Sequence, residues 1–194
     1  MKKLSRDFYN RDTVIVARDL LGKCITRVLD GERLTVRITE TEAYVGPIDK
    51  ACHAYNGKRT TRTETLFAPP GTAYLYLIYG MYHCLNFVTE PEGTPCAVLI
   101  RGAVPLENEP LLSLNRYHAL PETLTSYQKK HFLDGPGKLC LALALDRSMN
   151  GADLTADTLF VSDDGFRPRN IQTGKRIGID YAQEAADFPW RFFL

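Results

Sequence analysis

Cys24-Ile25-Thr26-Arg27-Val28-Leu29-Asp30-Gly31-Glu32-Arg33-Leu34-Thr35-Val36-Arg37-Ile38 is the stretch that decides the architecture. Cys24 to Leu29 reads as a strand, Asp30-Gly31 as a tight turn and Leu34 to Ile38 as the returning strand, since Asp-Gly supplies the left-handed backbone such a turn needs. Upstream, Val14, Ala17, Leu20 and Leu21 recur at helical spacing, with Asp12 as N-cap and Gly22 as stop. Downstream, Ala73 to Thr89 reads as an aromatic hairpin with Gly80 near its tip, and Cys96 to Ile100 as a wholly apolar central strand. Leu159 to Val161 and Arg176 to Ile179 read as further strands, while Pro110 opens a helix through Tyr117 and Pro136 another ending near Leu145. Residues 45–72, rich in Gly, Pro, Thr and charge, form a long irregular segment of the kind that is functional or disordered. The apolar run Trp190 to Leu194 is expected to dock. Hairpins outnumber helical crossovers. The expected class is therefore α+β: one compact domain over residues 1–194, with a largely antiparallel curved sheet, flanking helices and a protruding β-hairpin.

Composition narrows the functions. At 194 residues, 44% hydrophobic and 24% charged, the chain is an ordinary globular one, able to bury roughly 70% of its unfolded surface. Its longest aliphatic run, Leu139 to Leu145, is too short to cross a bilayer, and Met1-Lys2-Lys3 is followed by Ser5-Arg6-Asp7 rather than a signal-peptide core. Five cysteines without framework spacing suit a reducing compartment, so a cytoplasmic location is expected. A net charge of +1 excludes adhesion to nucleic acid by bulk charge and leaves room for a local basic face. Lys58-Arg59 with Arg62, Lys129-Lys130-His131, Arg167 with Arg169, and Lys175-Arg176 are the local patches, each readable as solvated surface or as phosphate contact.

Side chains two apart share a strand face, so the face of Leu34, Val36 and Ile38 runs on through Glu40, Glu42 and Tyr44 unless a bulge intervenes. Two carboxylates at the end of an apolar face have the raised pKa values that prepare acids and bases, or the strand leaves the core after Ile38 and both are wet. In Tyr74-Leu75-Tyr76-Leu77-Ile78-Tyr79-Gly80-Met81-Tyr82, Tyr74 and Tyr82 read as packing residues, whereas Tyr79 and Met81 bracket the tip. An aromatic at an exposed tip can wedge between base pairs or anchor a protein partner. No zinc or other metal-ligand spacing occurs: Cys52-His53 and His83-Cys84 are adjacent pairs, and Pro95-Cys96 lacks the second cysteine of a deaminase. Cys24, Cys96 and Cys140 read as buried and inert. Gly135-Pro136-Gly137-Lys138 is either an anion-holding loop or a simple turn into a helix.

Glu40-Thr41-Glu42-Ala43-Tyr44-Val45-Gly46-Pro47, Ala51-Cys52-His53, Arg62, Leu66-Phe67 and Pro70-Gly71-Thr72 occur in order, followed by Tyr74 to Tyr82. Asn86, Leu99-Ile100-Arg101, Pro105-Leu106-Glu107 and Gly135 to Cys140 continue the series. Over residues 10 to 180 this resembles the alkyladenine (3-methyladenine) DNA glycosylase family, loosely after Arg169. The resemblance implies a compact base-excision repair enzyme acting on double-stranded DNA that contains damaged purines. No cofactor, metal, membrane or obligate protein partner is expected, and a monomer is expected because one duplex face suffices for that task. It makes Glu42 the base that activates water, places Arg101 near that water, and puts Tyr44, His53, Tyr76 and Asn86 around an extruded base. Tyr79 becomes the inserted side chain, and Arg59, Arg62, Met81 and Lys138 fall at the DNA backbone. No lysine matches a family nucleophile, which implies hydrolysis to an abasic site without strand cleavage. A binding module that keeps the wedge without turnover, and a small-glycoside hydrolase using Glu40 and Glu42, are the rival readings.

Overall fold

The computed structural model describes all 194 residues. In chain order the elements are β1 (Lys2–Lys3), α1 (Arg6–Tyr9), α2 (Thr13–Asp19), β2 (Cys24–Leu29), β3 (Glu32–Val45), β4 (Ala73–Ile78), β5 (Tyr82–Thr89) and β6 (Cys96–Glu107), then α3 (Glu109–Tyr117), α4 (Ser126–Lys130), α5 (Pro136–Ala142), β7 (Leu159–Asp163), β8 (Gln172–Gly174) and β9 (Arg191–Phe193). The Asp12 carboxylate accepts from the Ile15 N–H and starts α2 as expected. Asp30 and Gly31 both adopt positive φ, which closes β2 on β3. Every pairing in the nine-stranded sheet is antiparallel, in the order β1-β7-β2-β3-β6-β5-β4. The class is α+β. Packed against the sheet are α2, α3 and α5, and the interior between them is filled by Leu20, Ile25, Leu34, Ile38, Phe87, Ile100, Leu112 and Leu139.

Three expectations need correction. The segment Arg176 to Ile179 is not a strand; the ladder there is Gln172–Gly174, and the chain leaves it before Arg176. Neither is Arg176 surface charge, because its side chain is wholly buried against Asp49. Tyr82 is not a packing residue like the buried Tyr74, being 41% exposed beside Gly137.

β3 runs past its hairpin partner, and this positions everything that follows. Its first half pairs with β2; from Glu40 to Glu42 the same edge is taken over by β9, while β6 follows the other edge from Thr35 to Val45. Between Ile38 and Glu40, and again between Glu40 and Thr41, the β3–β6 register slips: Ile38 faces Ala103, Glu40 faces Gly102 and Thr41 faces Ile100. Thr39 on β3 and Arg101 on β6 are left without partners in this register, as extra residues of bulges. A one-residue slip exchanges the two faces of a strand. Leu34, Val36 and Ile38 therefore face the main core, but after the bulge it is Thr41 and Ala43 that do so. Glu42 and Tyr44 are carried to the opposite face, contrary to simple alternation.

Candidate active site

On that opposite face lies a cavity of about 240 Å³. This is below the roughly 300–1,000 Å³ of pockets for drug-sized molecules and suits one flat heterocycle. Its walls come from β3 (Tyr44), the 45–72 segment (His53, Arg62), the β4–β5 hairpin (Tyr74, Tyr76, Tyr79, Asn86), β6 (Arg101) and the stretch Ile177–Ile179 with Tyr181. The irregular 45–72 segment thus supplies a wall.

Glu42 has no exposed surface and sits directly behind this wall. Its Oε2 accepts from the Tyr44 hydroxyl at 2.7 Å and its Oε1 from the Ile177 N–H at 2.8 Å, with Arg101 Nε 3.4 Å from Oε1. Burial pushes its carboxyl above the usual range; Arg101, the Ile177 N–H and the Tyr44 hydroxyl oppose that rise, and Glu40 adds to it. Glu40 is no second acid of the cavity. Its Oε1 accepts from Arg101 Nε at 3.0 Å and from Arg191 Nε at 2.6 Å, so the two glutamates and two arginines form one alternating cluster.

The aromatic wall is interlocked. The His53 ring meets Tyr76 edge-on with centroids 4.6 Å apart, and Tyr76 lies 5.5 Å from Tyr74. Arg62 Nη2 approaches His53 Nε2 at 3.4 Å. Since a guanidinium can only donate, Nε2 accepts and Nδ1 carries the hydrogen toward the Tyr74 hydroxyl 3.1 Å away. Burial, then Arg62, lowers the His53 pKa to about 4, so the ring is neutral at pH 7. Asn86 is buried, and its Nδ2 donates to the carbonyls of Tyr74 and Cys84.

Tyr79 is 83% exposed at the tip of the β4–β5 hairpin, with φ +53 followed by Gly80 at +71. Met81 beside it is also exposed. The structure thus brings Glu42, Arg101, Tyr44, His53, Tyr76, Asn86, Tyr79 and Arg62 to one place. Three other expected residues lie outside the cavity lining: Arg59, bonded to Glu64; Lys138, paired with Asp134 in the first turn of α5; and Met81. Sequence reasoning missed the hydroxyl of Tyr74 as a ligand of His53, and all of Ile177 to Tyr181. For the latter the only signal was apolar residues flanking Gly178. All five cysteines are free and buried, and burial raises Cys52 and Cys96 to about 12. No three of the His, Cys, Asp and Glu side chains cluster as metal ligands would.

The family model for "Methylpurine-DNA glycosylase (MPG)" matches residues 7–194. The chain belongs to the methylpurine-DNA glycosylase family. It is accordingly a DNA glycosylase, a hydrolase of DNA repair. Among its relatives, a protein of Clostridium perfringens named "Putative 3-methyladenine DNA glycosylase" is 53% identical over 195 residues, covering 99% of this chain and 95% of the relative. Relatives of the same name from Desulfitobacterium hafniense (50% identical, 100% of this chain, 96% of the relative) and Alkaliphilus oremlandii (50%, 99% and 95%) are similar from end to end. Family membership extends past Arg169, where the sequence motifs alone were loose, and so takes in Ile177 and Tyr181.

Proposed function

We propose that this DNA glycosylase excises alkylated and deaminated purines, such as 3-methyladenine, 7-methylguanine, hypoxanthine and ethenoadenine, from duplex DNA as a monomer, leaving an abasic site. One observation carries the reading. A wholly buried carboxylate, held by two hydrogen-bond donors and paired with Arg101, stands behind an aromatic cavity whose rim bears an exposed tyrosine on a hairpin tip.

A base inside the stack is out of reach of Glu42, so the nucleotide rotates out and Tyr79 fills the gap it leaves. Tyr44, His53 and Tyr76 receive the base. Their faces attract a cationic purine by roughly 0.5–2 kcal/mol, and a neutral His53 adds no repulsion. Breaking the glycosidic bond develops positive charge on the sugar, which the Glu42 carboxylate stabilises. Glu42 takes a proton from water as the water oxygen bonds to C1′, and the electrons of the breaking bond leave with the base nitrogen. A cationic base then departs neutral, whereas a neutral lesion needs a proton of its own. Arg101 favours the ionised form of Glu42, opposing the rise that burial imposes. Asn86 crowds the exocyclic amino group of normal guanine. Arg59, Arg62, Met81 and Lys138 flank the DNA backbone.

The deciding experiment is Glu42→Gln on a duplex with one hypoxanthine or 3-methyladenine. Release of free base is expected to fall by about 10²–10⁴ while binding to that duplex persists. Undiminished release removes Glu42 from the chemistry. Wild-type product is expected to break only after heating in alkali; breaks before alkali contradict a purely hydrolytic reaction, and none after it favours a binding module.

A further inference from the structure

The Arg176 guanidinium and the Asp49 carboxylate are both wholly buried and meet face to face. Nη1 lies 2.5 Å from Asp49 Oδ2 and 2.8 Å from the Ala43 carbonyl; Nη2 lies 2.8 Å from Asp49 Oδ1 and 3.0 Å from the Ala185 carbonyl. The same guanidinium stacks over the rings of Tyr44 at 4.7 Å and Trp190 at 5.2 Å. Asp49 also accepts from the N–H groups of Val45 and Ala51. One side chain therefore bonds the residue after Glu42, packs on the residue whose hydroxyl meets Glu42, and immediately precedes the residue whose N–H donates to Glu42.

A buried ion pair is a poor device for stability, since well-packed apolar residues do as well or better. What it supplies is fixed geometry, and here geometry is otherwise thin. Residues 175–179 belong to no strand, the Ile177 side chain is half-exposed, and Gly178 has φ +76. We propose that the Asp49–Arg176 pair is a positioning element for Glu42: it pins the segment so that the Ile177 N–H stays on Oε1, and it holds Tyr44 so that its hydroxyl stays on Oε2. The proposal rests on reading Glu42 as the base.

Glu42 is also faced by Arg101 from β6, by Glu40 and Tyr44 from its own strand and by Cys84 from β5, with Arg191 of β9 neutralising Glu40. Loosening the pair leaves Arg101, Glu40, Cys84 and Arg191 in place and weakens the two donors to the ionised carboxylate, the Tyr44 hydroxyl and the Ile177 N–H, which raises its pKa.

The test uses Asp49→Asn and the milder Arg176→Lys, which keeps a cation beside Asp49 and carries the test should the first fail to fold. Carbon-13 labelling of the glutamate carboxyls lets Glu42 be titrated directly by NMR. In each folded variant Glu42 is expected to titrate about one pH unit higher than in wild type, a tenfold change in its ionisation equilibrium. Exchange of the Ile177 N–H is expected to quicken at least about tenfold, and the acid limb of base release to move up with Glu42. A merely structural pair would lower the melting temperature and leave the titration and the Ile177 exchange unmoved; that result overturns the proposal. Both readouts act on the protein without substrate, so they decide this pair even if wild type releases no base, an outcome that overturns the glycosylase reading instead.

Discussion

His53 shows how one buried side chain fixes both a recognition surface and a pH response. Its pKa is about 4 in the folded protein against 6.5 for a free imidazole. Between those values the unfolded chain binds a proton that the folded one refuses, so stability declines as pH falls from about 6.5 and levels off below about 4. His53→Gln is expected to flatten that part of the profile of denaturant midpoint against pH; an unchanged slope means the ring is not held neutral. Asn86 is committed through both N–H directions to strand carbonyls, so Asn86→Ala is expected to open the wall beside it and raise excision of normal guanine relative to hypoxanthine. An unaltered ratio of the two released bases counts against the crowding role. Glu42, Tyr44, His53, Tyr76, Asn86 and Arg101 were legible because each sits in a short, distinctive string. Arg176 was not: beside Lys175 it reads as a surface pair, and its burial is decided by Asp49, far away in the chain.

At the level of the element, the β3–β6 bulge decides which way Glu42 faces. Strand periodicity located both glutamates but left their face open, core side unless a bulge intervened, because a slip between two strands leaves no trace in the pattern of either one. Gly102 lies inside the irregularity, where an added Cβ would come within 3.2 Å of Glu40 Cβ and Thr39 Oγ1. Gly102→Val is expected to cost about 1–3 kcal/mol in denaturant unfolding and to slow base release further by displacing Arg101. The β4–β5 hairpin was readable down to its tip residues. Tyr79 holds a left-handed φ that costs a non-glycine residue roughly 1 kcal/mol. Tyr79→Gly is therefore expected to leave the melting temperature equal or higher while excision from duplex falls. A parallel loss of stability and activity would show that the tyrosine is there for the fold.

For the molecule as a whole, a net charge of +1 leaves little field to draw it to DNA at long range. With the proposed backbone contacts of Arg59, Arg62 and Lys138, the slope of log affinity against log salt is expected near −3, and Arg62→Ala should reduce it by about one. A much steeper slope would place the duplex over another face. The sheet and hairpins were legible as local hydrogen-bonding units, while the joining of residues 172–193 to β3 was not, since it links positions more than a hundred residues apart. That joining orders events in time. β9 and the Ile177 amide reach Glu42 only after translation has passed them, so a nascent or prematurely terminated polypeptide holds its acid without the groups that aim it.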